Sequence, residues 1–453
     1  MKPIITVDIE TYSPQDIAKV GAYRYAQDPD FQILLLGYVN ENSDTPRVLD
    51  LTSWPDTKHF LREQLPWLLD ASYTKRAHNA AFEWWCLSEA MGLGWAQRIY
   101  WLQQWECSMV HALYCGLPAQ LGALGAALKQ PEDALKMKEG KALIAYFCKP
   151  CKPTKRNGGR TRNLPQHDPD KWKLFCKYNG MDVIAERAND RKLAPWPVPE
   201  EIMQQWREDV EMNARGVAVD MALVKGALAC SALITEEQTT ESKTLTGLAN
   251  PGSRAQLLGW LHNRGVELPG LTKEDVTHAL AGELPSDVRR VLELRQQLGK
   301  TSNAKYETIA ASAGPDHRVR GTLQFYGASR TGRWAGRLLQ VQNLPRTYLD
   351  HQAEWRSIVK LHDPEALALL TDNVSDTLSQ LIRTALVPGK GCTFVDADFS
   401  AIEARLIAWL AGEEWVLDVF RTTGKIYEAT AARIFGVPFD SIVKGNPNYK
   451  YRQ

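Results

Sequence analysis

The chain reads as a multidomain protein of mixed α/β and α+β class, and three observations predict it. First, 453 residues exceed what one ordinary hydrophobic core organises. Second, up to about residue 193 short β-branched runs alternate with helical patterns, which is how an α/β sheet domain is written. Third, the stretch Leu193-Ala-Pro-Trp-Pro-Val-Pro-Glu200 breaks that pattern, and from Glu201 to about Arg320 the sequence is strongly helical. Turns rich in Gly, Arg and Asn follow over residues 327–346. The expected domains are 1–195, 196–320 and 321–453.

The elements follow in order. Residues 4–9 and 33–39 read as buried strands, and 84–91 and 121–128 as helices. Ser286 and Asp287 cap a helix expected to run to residue 310 and to be the longest of the helical segment 201–320. A strand over 392–397 leads into a helix over 400–410. No internal repeat or low-complexity segment is visible. The composition, 44% hydrophobic and 24% charged, is that of a folded protein. A net charge of +1 does not advertise a nucleic-acid partner, but basic channels and acidic metal sites cancel in such a sum. The eight cysteines lack a disulfide framework and read as reduced thiols. No segment has the length of a signal peptide core or a membrane span, so the expected location is the cytoplasm.

Asp8-Ile9-Glu10 closes the apolar run Ile4-Ile5-Thr6-Val7. In a strand these two carboxylates leave the same face, about 7 Å apart. Two acids at the end of a buried strand are costly unless cations compensate them, and two divalent ions about 4 Å apart would do so while driving phosphodiester hydrolysis. A solvated strand end has the same residue types, so the pair is informative only in company. His78-Asn79-Ala80-Ala81-Phe82-Glu83 opens a helix, with Asn79 and Glu83 expected on one face. Tyr178-Asn179-Gly180-Met181-Asp182 repeats the spacing and sets a phenol beside a carboxylate.

The order acid pair, Asn-x-x-x-acid, Tyr-x-x-x-Asp resembles the tyrosine-type exonuclease superfamily, which includes the proofreading domain of family A DNA polymerases. The resemblance implies a ribonuclease-H-like domain in which Asp8, Glu10 and Asp182 hold one metal ion. Asp8 would bridge to a second, Glu83 would act largely through water, and Tyr178 would orient the attacking hydroxide. The family commonly has Asp where this chain has Glu83, which shifts the oxygens by about one methylene and puts the second ion's geometry in question. Later, Val395-Asp396-Ala397-Asp398-Phe399-Ser400-Ala401-Ile402-Glu403-Ala404-Arg405 resembles motif A of the same family. There Asp398 would hold the polymerase metals and Glu403 would close the space of a ribose 2′-hydroxyl, favouring deoxynucleotides.

The resemblance extends over the rest of the chain. Ser329 to Arg333 and Gln342 to Arg346 resemble the palm segment at the primer end, where Arg333, Gln342 and Asn343 would donate to minor-groove acceptors. Asn250 to Ser253 and Leu298 to Ser302 resemble the thumb, with Lys300, Ser302, Lys305 and Tyr306 as DNA-backbone contacts; Asn79 would meet the strand in the first domain. Ile426 to Thr430 resembles the fingers. Implied cofactors are Mg²⁺ or Mn²⁺, two ions per site, and implied partners are primer–template DNA and single-stranded 3′ ends. No membrane is implied, and a processivity factor is not identified. In the family pattern Arg452 would open the fingers helix Arg-x-x-x-Lys, with the second palm carboxylate beyond it. The expectation is therefore a chain that excises and polymerises only where that site is completed, dNTPs being partners on that condition. A primer–template binding fragment without catalysis and a dedicated 3′→5′ nuclease are the alternatives.

One feature lies outside the resemblance. Residues 149–162 carry Lys149, Lys152, Lys155, Arg156, Arg160 and Arg162 with no acid among them. Such a loop can follow a phosphate backbone or be a solvated insertion. Cys148 and Cys151, with His167 and Cys176, match no common zinc spacing.

Overall fold

The computed structural model describes every residue except 1, 41, 42, 44, 133, 134, 136, 299–302, 372 and 453. Two compact units emerge, residues 1–389 and 390–453.

The first unit opens on a five-stranded sheet in the order β3-β2-β1-β4-β5, comprising β1 (Ile4–Tyr12), β2 (Gln32–Asn40), β3 (Arg47–Asp50), β4 (Thr74–Ala77) and β5 (Trp105–Cys107). The β1–β2 and β2–β3 pairs are antiparallel; β1–β4 and β4–β5 are parallel. Strand alternation sorts β1 between two cores. Ile5, Val7 and Ile9 enter one with Trp84, Trp85 and Trp101. Tyr12, on the opposite parity, joins Leu35, Phe147, Phe175 and Tyr178 in the other. Asp8 and Glu10 share the parity of Tyr12, so the acids emerge on the side covered by the helix Pro169–Leu193. The expected strands at 4–9 and 33–39 are present and longer than their apolar runs.

The segment 194–199 separates that helix from the helix Glu200–Arg215. The helix Met221–Thr246 then centres a core with Tyr306, Ile309, Val359, Leu378 and Ile382. Helices Arg254–Asn263, Lys273–Leu280 and Ser286–Leu298 close over a smaller core around Leu257, Val276 and Val291. The helix expected over 286–310 is thus two, Ser286–Leu298 and Ala304–Ser312, with 299–302 outside the described residues. It is also not the longest: Met221–Thr246 has 26 residues. The threonines in the second half of that helix have modest intrinsic propensity, and Leu223, Val224, Ala227, Cys230 and Ile234, buried at helical spacing up to its middle, anchor the helix.

The second unit carries three helices, Ile402–Ala411, Glu414–Thr422 and Ile426–Phe435, and short 3₁₀ turns. The strand expected over 392–397 is absent: these residues are exposed and irregular. Strand hydrogen bonds must come from a neighbour, and no described strand pairs with this segment. The helix expected from residue 400 starts at Ile402, after Ala401 at φ 51°.

Candidate active site

Carboxylate oxygens of Asp8, Glu10 and Asp182 lie within 4.8 Å of one another. Their positions follow from local structure. Asp8 and Glu10 sit on the central strand, paired to Gly37 and Leu35 of β2, and a register shift after Glu10 interrupts the ladder, which resumes at Thr11 and Ile33. Asp182 lies one turn beyond Tyr178 on the Pro169–Leu193 helix. The Tyr178 hydroxyl hydrogen bonds to Asp182, and burial, followed by the charge of Asp182, raises its pKa far above that of a free phenol. Its ring is fully buried and stacks parallel to Phe175 at 6.0 Å. A Cβ on Gly140 would come within 2.1 Å of that ring, so position 140 has no room for a side chain.

Asn179, next to Tyr178, is a contact the sequence reading missed. Its Nδ2 donates to Asp8 Oδ2 at 2.6 Å and to the Asp8 carbonyl at 3.3 Å. Gly37 makes room for it: a Cβ there would sit 2.5 Å from Asn179 Oδ1. The available signal was its place inside the Tyr-x-x-x-Asp segment.

Glu83, on the helix Ala81–Ala90, is 4% exposed, and its Oε2 is buried without a hydrogen bond. Burial, then repulsion from Asp8, pushes its carboxyl well above the ordinary range. Glu186 was also missed, although Asp182, Glu186 and Asp190 recur at four-residue steps along one helix. It is 1% exposed. Burial raises its pKa strongly, a Ser108 hydrogen bond opposes this, and Asp8 adds to it. Behind it Arg76 on β4 pairs with Asp190 and, at 2.5 Å, with Glu106 on β5.

The donor set fits a hard divalent cation. Carboxylate oxygen is what Mg²⁺ and Mn²⁺ select. Charges at such separations repel by about 3–4 kcal/mol per pair at an effective dielectric near 20, and Arg76 is committed to other acids. Among the described residues this is the one group of three or more His, Cys, Asp and Glu side chains with that geometry. A cavity of about 450 Å³ adjoins it, lined by Glu10, Tyr25, Phe82, Ile144, Cys148, Lys149 and Pro150. Cys148 Sγ lies 3.8 Å from Glu10 Oε2. Cys151 instead turns to Arg160 O and Asn163.

The remaining expected residues are scattered. Asn79 is not on the helix face of Glu83: it precedes the helix, is exposed, and has φ 73°, a left-handed conformation that Asn tolerates well. Arg333, Gln342 and Asn343 are exposed on the hairpin Leu323–Ala328/Arg333–Gly336 and the turn Val341–Asn343. Lys305 is half-buried. Tyr306 is not a surface contact: it is fully buried and its hydroxyl donates to Leu378 O at 2.8 Å. Lys300 and Ser302 lie outside the described residues. In the second unit Asp398 is exposed, and Glu403 is exposed in the first turn of its helix. Arg405 Nε donates to Ser400 O at 2.8 Å and its guanidinium covers Phe420.

Comparison with known proteins places this architecture. A model of DNA polymerase family A matches residues 233–446. The DNA polymerase of Bacillus phage SP02 is 46% identical over 443 residues, covering 98% of this chain and 67% of that protein. The thermostable DNA polymerase I of Thermus caldophilus is 28% identical over 319 residues, covering 66% of this chain and 34% of that one. The chain belongs to the family A DNA polymerases. In fold it is similar to the POL domain of Pol1 from M. smegmatis, solved in complex with DNA primer–template and dNTP. That likeness has a TM-score of 0.55 at 18% identity and covers all of this chain and 65% of the other. The chain thus spans about two thirds of the phage relative and one third of the thermostable one. No helix of the described residues is long and apolar enough to cross a membrane.

Proposed function

We propose that this polypeptide serves phage or prophage DNA replication in the bacterial cytoplasm as a DNA-directed DNA polymerase whose first part, 1–195, is a 3′→5′ proofreading exonuclease. In this reading 196–320 is the thumb and 321–453 belongs to palm and fingers. The observation that carries the exonuclease is the cluster Asp8, Glu10 and Asp182 on a rigid strand and helix, with buried Glu83 and the Tyr178 hydroxyl beside it.

The chain's residues divide the work. Asp8, Glu10 and Asp182, with Glu83, hold two Mg²⁺ or Mn²⁺, which when bound supply a nucleophile at neutral pH and neutralise the phosphate. Asn179 fixes one Asp8 oxygen, so the other keeps its direction. Tyr178, kept neutral by its surroundings, positions water through its hydroxyl, and the stacked Phe175 keeps that hydroxyl from wandering. The adjoining cavity takes the terminal nucleotide. On the polymerase side, Asp398 contributes a metal-binding carboxylate and Glu403 selects against a 2′-hydroxyl. Arg333, Gln342 and Asn343 contact the primer terminus, while Lys300, Ser302 and Lys305 contact the DNA backbone.

A 5′-labelled primer on a template with Mg²⁺, with and without four dNTPs, tests this on one gel. Shortening that disappears in the Asp8→Ala/Glu10→Ala variant, with DNA binding retained, is the expected result. Hydrolysis persisting in that variant defeats the two-metal assignment, and extension in the dNTP lanes reports the polymerase site directly.

A further inference from the structure

We propose that the loop 149–162 is a preformed rail for the phosphates of a single DNA strand whose 3′ end enters the carboxylate site. The inference rests on the exonuclease reading and extends it to a surface that reading leaves unassigned.

The loop is held by its own polar side chains. Asn157 Oδ1 accepts from Thr154 N at 2.8 Å and Gly159 N at 3.1 Å, while its Nδ2 donates to Lys152 O at 2.9 Å. Cys151 N donates to Thr161 O at 2.8 Å. Asn163, 7% exposed, accepts from Arg160 Nε at 2.8 Å and donates to Tyr146 O at 3.0 Å. Arg162 lies 3.6 Å over the Tyr12 ring and donates to Gln32 Oε1 at 2.7 Å. Tyr12 ends the same strand that carries Asp8 and Glu10, so the loop is fastened to the catalytic strand itself.

The six cations therefore divide into two classes. Arg160 and Arg162 are consumed in fastening. Lys149, Lys152, Lys155 and Arg156 are exposed and, among the described residues, none of the four has an ion-pair partner within 4 Å. Four exposed cations without an acid among them make one positive surface on a hydrogen-bonded loop, the kind that attracts a polyanion. The neighbouring site makes that anion specific. Lys149 and Pro150 line the cavity that Glu10 also lines, so the rail begins where the carboxylates end. A strand reaching four acids must overcome their repulsion, which extends about 8 Å at physiological salt, and cations beside the entrance offset it. Because the loop is ordered beforehand, the strand does not have to order it.

The test compares two substrates in wild type and in Lys152→Glu/Lys155→Glu/Arg156→Glu. One is 5′-labelled oligothymidylate of about twelve nucleotides, within the usual single-strand footprint. The other is the p-nitrophenyl ester of thymidine 5′-phosphate, which has no upstream phosphates. On the oligonucleotide, KM should rise about tenfold or more with kcat within twofold. The slope of log kcat/KM against log salt should shrink by about 2, since each lost single-strand contact accounts for roughly 0.7. Ester hydrolysis and melting temperature should not change. Equal KM on the oligonucleotide overturns the rail, and so does an equal loss on both substrates, which would make the loop a structural support. Wild type inert toward both substrates would instead defeat the exonuclease reading.

Discussion

Two apolar runs in this chain end in acids, and they fold differently. Ile4-Ile5-Thr6-Val7-Asp8 is the central strand of a five-stranded sheet, hydrogen-bonded on both sides. Thr393-Phe394-Val395-Asp396-Ala397-Asp398 is irregular and exposed, with Val395 88% accessible. Strand propensity is comparable in the two; the difference lies in neighbours. A strand is a contract with the chain beside it. The first run finds β2 within forty residues and β4 within eighty, whereas no described strand meets the second. The contrast teaches that a motif's chemical signature and its local fold are separate facts. The segment resembling motif A is the more specific pattern, yet the weaker pair Asp8 and Glu10 is the one set in a packed site.

The sharpest way to break this contrast is to remove one acid from each region. Asp8→Ala should lower excision of a labelled 3′ end by roughly 10³-fold or more, while Asp398→Ala should leave it within twofold. A fall with Asp398→Ala would mean the two regions are not chemically separate. Next in size, Gly140→Ala should lower excision about 10- to 100-fold without removing any polar group, because its methyl collides with the Tyr178 ring. An unchanged rate would show that Tyr178 does not need its position. Third, millimolar Mg²⁺ should raise the melting temperature of wild type and of Asp398→Ala but not of Asp8→Ala, each tenfold excess of metal over its dissociation constant adding about 1.4 kcal/mol. Equal shifts in all three, read by differential scanning fluorimetry, would place the bound ion elsewhere.

The smallest effect concerns Asp209, which joins the helix Glu200–Arg215 to the hairpin by accepting from Trp334 Nε1 at 2.8 Å. Burial raises its pKa to about 6, opposed by the Trp334 and Asn213 hydrogen bonds. A folded-state pKa above the unfolded one means the contribution is full below about pH 4 and is lost as pH rises through 6. Asp209→Asn should therefore match wild type near pH 4 and exceed it at pH 8 by about 1–3 kcal/mol, measured by urea unfolding. A constant difference across that range would remove Asp209 from the account.

Much of the fold and site was legible because it is written locally. Strand parity put Asp8 and Glu10 on one face, and helix spacing put Tyr178 beside Asp182. What escaped depends on partners distant in sequence. Asn179 reaches Asp8 because Gly37 leaves space on another strand, and buried Glu186 meets Arg76 of β4 and Ser108, which follows β5. Asn79 departs from the i, i+4 spacing because it precedes the helix Ala81–Ala90, where the backbone is left-handed. Tyr306 looked like a surface phenol because nothing near it in sequence announces Leu378.

The clearance at Gly37 has a practical side. Every route to silencing the proposed excision by deleting an acid also changes the protein's charge and its demand for cations. Gly37→Ala changes neither. Its methyl would meet Asn179 Oδ1 at 2.5 Å and press that amide away from Asp8, detuning the site from the neighbouring strand on the same face of the sheet. Position 37 is thus a mechanical handle on the proposed excision: with alanine there the chain would keep all its carboxylates and their net charge while Asp8 loses the Asn179 hydrogen bond.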